Sequence, residues 1–176
     1  MDSSLIDVWN ACVGLRPSLA EVKNLLDSRE LIAVAPGAVD FLVTPDGFFV
    51  KLPPGKGSGP VQAVGLCVDR EYFLAPGPQP EPVIRELVFN GVVLAGSAAA
   101  VLARFRAAGL TPVELMSDGE LFTMIYGNSM ILEFLAGHDG SGAADDSSLA
   151  AVQFNFGPTY AGRVPPVIQG RDVGAA

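Results

Sequence analysis

A reversal at Thr44-Pro45-Asp46-Gly47 constrains this chain more than any other local feature, because it stands between two apolar runs, residues 38–44 (AVDFLVT) and 48–52 (FFVKL). Proline presets the backbone of a turn, aspartate bonds its own main chain, and glycine accepts dihedrals closed to other residues. Phe and Val on either side suit a pleated surface, so the pattern predicts an antiparallel hairpin. The same grammar recurs. Residues 31–35, 61–68 and 83–94 read as strands, and 113–116, 121–126 and 130–135, separated by Ser117-Asp118-Gly119 and Gly127-Asn128-Ser129, read as an antiparallel meander. The last predicted strand is 151–156.

Helical spacing appears in three places. Ser3 or Ser4 caps a helix with Leu5, Val8, Trp9 and Cys12 on one face, stopped by Gly14. Pro17 and Ser18 lead into a helix over 19–26, with Leu19, Val22, Leu25 and Leu26 as its stripe. The longest runs over 97–108, capped by Ser97, apolar at Val101, Leu102 and Phe105, and followed by Gly109 and Pro112. The expected class is α+β: a mainly antiparallel sheet, short N-terminal helices, and one longer helix packed on a C-terminal meander. At 176 residues the chain is expected to be a single domain, in two lobes joined near 75–82, where four prolines fall within eight residues.

Composition narrows the function classes. Hydrophobic residues make up 49% and charged residues 17%, against a usual charged share of about 25%, so there is ample material for a core. A formal charge of −8 opposes nonspecific phosphate binding, and no nucleic-acid partner is expected. Residues 1–8 carry two acids and no base, which predicts no secretory leader. The longest uncharged stretch, 87–103, is interrupted by Asn90, Gly91, Gly96 and Ser97, and no membrane helix is expected. Cys12 and Cys67 are far apart among apolar neighbours, which predicts buried free thiols and fits a reducing cytoplasm.

Catalytic patterns find no anchor. The single histidine, His138, adjoins Asp139 and lies near Ser141, but a glycine-rich loop is a poor scaffold for a triad, and either cysteine would need the same histidine. Gly55-Lys56-Gly57-Ser58 fails as a phosphate loop, since Val50 and Gly57 occupy the positions that need glycine and Ser or Thr. The spacing of Asp139, Asp145 and Asp146 matches no calcium loop, and Glu114, Glu120 and Glu133 show no pairing. No catalytic residue, metal or cofactor is therefore expected.

Charge distribution is more informative. Residues 107–162 contain no Lys or Arg and seven acids: Glu114, Asp118, Glu120, Glu133, Asp139, Asp145 and Asp146. A one-signed region steers a basic partner; the same charge also keeps an apolar chain monomeric.

Val92-Val93-Leu94-Ala95-Gly96-Ser97, the helix through Phe105, Gly109-Leu110-Thr111-Pro112, and Tyr126 with Met130-Ile131-Leu132-Glu133-Phe134 resemble a module of bacterial toxin-immunity proteins. There a strand ends in a small-residue turn, a helix follows, and paired strands close behind it. In length, acidity and an actinobacterial richness in Ala, Gly, Val and Pro, the chain is similar to the mycobacterial immunity factors of NAD-hydrolysing toxins. The resemblance implies a cytoplasmic antitoxin that occludes a toxin's nucleotide cleft without catalysis. A cleft that receives an anionic pyrophosphate is electropositive, which makes residues 137–153 the candidate plug: Asp139, Asp145 and Asp146 supply charge, and Gln153 offers an amide that imitates nicotinamide. Two alternatives stay open. One is a small-molecule-binding or enzymatic domain whose pocket, under 75–82, is lined by Phe73, Phe89, Phe122 and Tyr126; the other is an assembly subunit docking through 164–172.

Overall fold

The computed structural model describes residues 4–34, 41–53, 59–73, 80–110, 114–117, 121–126, 130–136, 147–156 and 168–172. In chain order these form α1 (Leu5–Leu15), α2 (Leu19–Leu26), β1 (Ile32–Ala33), β2 (Phe41–Val43), β3 (Phe48–Lys51) and β4 (Ala63–Cys67). After a 3-10 turn at Arg70–Tyr72 come β5 (Ile84–Phe89), β6 (Val92–Leu94), α3 (Ala98–Ala107), β7 (Glu114–Ser117), β8 (Leu121–Tyr126), β9 (Met130–Ala136), β10 (Ser147–Asn155) and β11 (Ile168–Asp172). One sheet runs β1-β2-β3-β4-β10-β9-β8-β7 and a second runs β11-β5-β6, with every pairing antiparallel. The fold is α+β, with two N-terminal helices and with α3 lying against β6 and β10; α3, at 10 residues, is not the longest helix as the sequence suggested, because α1 continues past Gly14 to 11 residues.

Local chemistry sets these boundaries. Ser4 accepts from the Asp7 amide to open α1, and Ser18 with Glu21 forms a reciprocal capping box on α2. α1 passes Gly14 and ends at Leu15; Arg16, at φ 51°, closes it by donating its amide to Cys12 O. The Thr44-Pro45-Asp46-Gly47 reversal is present between β2 and β3. Thr44 Oγ1 donates to Asp46 Oδ1 at 2.6 Å and accepts from Phe48 N at 3.0 Å, while Arg29 Nε, beyond α2, donates to Asp46 Oδ2 at 2.7 Å.

Three further sequence expectations are corrected. Residues 83–94 are a hairpin rather than one strand, because Asn90 (φ 48°) and Gly91 (φ 78°) both take the left-handed backbone that a two-residue turn between twisted strands requires. β10 starts at Ser147, so the second half of the expected 137–153 loop is strand, paired to β9 from Ala136↔Ser147 onward. Residues 168–172 of the expected docking arm are β11, bonded to β5.

The large sheet is covered unequally. Phe48, Val50, Val64, Leu66, Met130, Leu132, Phe134, Val152 and Phe154 face the main core, where α1, α3 and the small sheet contribute Trp9, Cys12, Ile84, Leu87, Leu94, Val101 and Phe105. This core joins residues on both sides of 75–82, and the turn itself binds the returning chain through Glu81 N to Pro45 O and Val83 N to Asp46 O. On the opposite face a smaller cluster gathers Val34, Val43, Phe49, Cys67, Phe73 and Ala151, with Phe41 and Tyr72 against it. Phe49 lies directly over Gly65, where a Cβ would stand 2.0 Å from the ring.

Candidate functional site

The second face of the large sheet carries a polar cluster. Register places Gln153 of β10 between Gly65 and Ile131, and Ala151 between Cys67 and Glu133. Gln153 Nε2 donates to Glu133 Oε1 at 2.7 Å. Tyr72 is brought over the sheet by the 3-10 turn, which Asp69 opens by accepting from Glu71 N at 2.8 Å, and its hydroxyl donates to the same Glu133 carboxylate. Burial pushes the Tyr72 phenol far above its ordinary value, helped by the charge of Glu133 and the bond to it. Burial likewise raises the Cys67 thiol, with Glu133 and Asp69 adding to the effect. Both groups hold their protons at neutral pH, which suits hydrogen bonding around one fixed carboxylate and opposes a nucleophilic thiolate.

A second feature comes from the connections. Leu121, the first residue of β8, pairs with Leu135, and Leu135 pairs with Ser148 near the start of β10. The β7–β8 connection (118–120) and the β9–β10 connection (137–146) therefore spring from the same end of the sheet. Asp118, Glu120, Asp139, Asp145 and Asp146 belong to these two connections, five of the seven acids in the base-free stretch. α3 starts beside this end, since Ala98 N donates to Ser147 Oγ at 2.9 Å. Bases lie elsewhere: Lys51 is the one base in any strand of the large sheet and sits 5.4 Å from the centroid of Phe41, Arg29 is bonded to Asp46, and Arg104 is bonded to main-chain carbonyls.

The sequence-derived site is divided by the structure. Asp139, Asp145 and Asp146 lie outside the described residues, as do His138, Ser141 and residues 55–58. Gln153 is not part of a protruding loop: it sits inside β10, 8% exposed, with its amide nitrogen engaged by Glu133. An amide in a doubly flanked strand holds its neighbours and is not presented outward. Cys12 and Cys67 are buried and free, as the spacing implied, and burial pushes the Cys12 thiol up to about 12. Phe89 packs in the main core near Phe105 and Phe73 in the opposite cluster near Phe49, so these two do not line one pocket. Among the described residues no His, Cys, Asp or Glu group is arranged to hold a metal, and no helix is long and apolar enough to cross a membrane. Tyr72 is the site residue that sequence reasoning missed; the acid in the alternating run Met130-Ile131-Leu132-Glu133-Phe134 was the visible signal for its partner.

Compared with protein-family models, curated proteins and solved structures, the chain matches none.

Proposed function

We propose that this chain is a binding protein of the toxin-immunity type, which recognises a basic enzyme and neutralises it by covering the cleft where an anionic dinucleotide binds. The observation that carries the reading is that the strand ends flanking the two acid-rich stretches of sequence, 118–120 (Asp118, Glu120) and 137–146 (Asp139, Asp145, Asp146), lie at one end of the sheet. A cleft built for a pyrophosphate attracts such a surface, and steering of this kind acts mainly on the association rate. The sequence resemblance names an NAD-hydrolysing toxin domain as the partner to try first. In this reading the Tyr72–Glu133–Gln153 cluster fixes β9 and β10, from which the longer acidic connection departs.

The test is inhibition of NAD hydrolysis by a purified toxin domain of that class as the chain is added, with association followed by stopped flow. Stoichiometric inhibition is expected, with association slowing steeply as salt shortens the screening length from about 10 Å at 0.1 M to about 3 Å at 1 M. Replacing Asp145 and Asp146 with Lys is expected to weaken binding at least tenfold, with folding stability changed by less than about 0.5 kcal/mol. Arg106→Glu, on the exposed side of α3, serves as the control. Undiminished hydrolysis with excess chain, or binding indifferent to both salt and the Asp145/Asp146 reversal, overturns the reading.

A further inference from the structure

The two sheets have four edges, and three of them are blunted. β1 is only two residues long. β6 is capped by a side chain: Arg104 Nη1 donates to Val93 O at 3.1 Å and to Ala95 O at 2.6 Å, taking outward carbonyls that another strand would need. β11 breaks register between Arg171 and Asp172 and lies against α1. Short edges, bulges and covering groups are the usual devices by which proteins prevent strand addition. Among the described residues β7 shows none of them. It pairs with β8 in unbroken register from Glu114↔Ile125 to Ser117↔Phe122, and no described strand pairs with its other side.

We infer that the β7 edge is a docking site for an extended, basic segment of a partner protein, which joins the large sheet as a ninth strand. The inference rests on the reading of the chain as a binder of a basic protein, and it adds the mode of contact. Charge selects the occupant. β7 contains Glu114, is followed directly by Asp118 and Glu120, and belongs to the stretch without Lys or Arg. A second copy of this chain would bring two such regions together, and like charges side by side oppose the pairing. A segment carrying Lys or Arg gains main-chain bonds along the edge and opposite charge beside it.

The experiment uses the full chain, isotopically labelled, and an eight-residue peptide of alternating lysine and valine. A twin peptide N-methylated at alternate residues keeps the charge but lacks the backbone donors of one edge. A glutamate–valine peptide keeps the backbone and reverses the charge. With the lysine peptide, amides of β7 are expected to shift and to exchange more slowly with solvent. The N-methylated twin and the glutamate peptide are each expected to bind at least tenfold more weakly. Equal responses to the first two peptides would reduce the contact to charge alone and overturn strand addition. Protection at β1, β6 or β11 instead of β7, or no response up to about 2 mM peptide, overturns the assignment of the edge. Because no toxin is present, the result is independent of the inhibition assay: inhibition without edge pairing removes this inference and leaves the proposed function, and edge pairing without inhibition does the reverse.

Discussion

β4 and β9 flank the same central strand, β10, and differ in how they are covered. Every residue of β4 is buried, because α1 lies against one face and Phe49, Tyr72 and Phe73 gather over the other. β9 alternates: Met130, Leu132 and Phe134 are buried, whereas Ile131, Glu133 and Leu135 are only partly so. The sequences carry that difference. AVGLC has no charge and a glycine where an aromatic ring lands, while MILEFLA places a carboxylate among its half-exposed positions. Two-sided burial demands a smooth, small-residue strand; one-sided burial permits an acid, provided hydrogen bonds hold it. β7, β8 and β9, all within the base-free stretch, lie on the β9 side of β10, the side to which the proposed function assigns the contact with a partner.

The largest effect that tests this division is expected at Phe49. Removing its ring by Phe49→Ala opens a cavity over Gly65 in the doubly covered region, and a loss of about 3–5 kcal/mol is expected in urea melts. Ile131→Ala, on the half-open side of β9, is expected to cost about 1 kcal/mol. Equal losses would show that the two strands are covered alike. Gly65→Ala follows, at about 3 kcal/mol, because the added methyl meets the Phe49 ring at 2.0 Å and the packed face cannot yield. In a Phe49→Leu background the same substitution is expected to cost at least 1 kcal/mol less, a coupling that a double-mutant cycle measures. Additive losses would place the strain elsewhere.

Much of this division was legible in the sequence, for physical reasons that differ by element. The Thr44-Pro45-Asp46-Gly47 turn and the Ser18 and Ser97 caps are local chemistry, and they appear where the residues put them. Asn90-Gly91 is also local, but the loose alternation over 83–94 reads as one strand where the structure has the turn of a hairpin. The strand order was not legible, since β4 pairs with β10 across more than eighty residues and no short pattern specifies such a pairing. The site divided in the same way. The base-free stretch is visible in one dimension, whereas the common end of the sheet at which the strands flanking its two acid-rich stretches stop and start depends on strand register, and Tyr72 reaches Glu133 only through the placement of a single 3-10 turn.

A pH titration sharpens the comparison from the covered side. Cys12 on the buried face of α1 and Cys67 on β4 both have thiol values raised by burial, and the Tyr72 phenol is raised likewise. In each case the folded state keeps a proton that the unfolded chain gives up first. Stability is therefore fully present below the unfolded value and falls as pH rises through it. For Cys12 the loss begins near 9.0 and continues to about 12, at about 1.4 kcal/mol per pH unit. Cys12→Ala and Cys67→Ala are each expected to flatten the alkaline limb of a stability–pH curve. A wild-type curve flat from pH 9 to 11 would mean that the thiols titrate while folded, and that neither site is as closed as its burial indicates.

The smallest effect is expected where the two sides meet, in the bonds that Tyr72 and Gln153 make to Glu133. Tyr72→Phe removes one donor and leaves the ring packed near Phe49 and Phe73, at a cost of about 1 kcal/mol. Gln153→Leu removes the other and costs about the same, because a leucine of similar size fills the space beside Gly65 and Ile131. The pair together is expected to cost more than the sum. The first loss leaves the carboxylate one strong donor, and the second leaves it without either in a half-buried setting, so the penalty falls on the double variant. Glu133→Gln should shrink that excess, since a neutral amide is less costly to leave without these donors. If the double variant is simply additive and Glu133→Gln changes nothing, the carboxylate is solvated independently of both side chains, and β9 is more open than its pairing with β10 suggests.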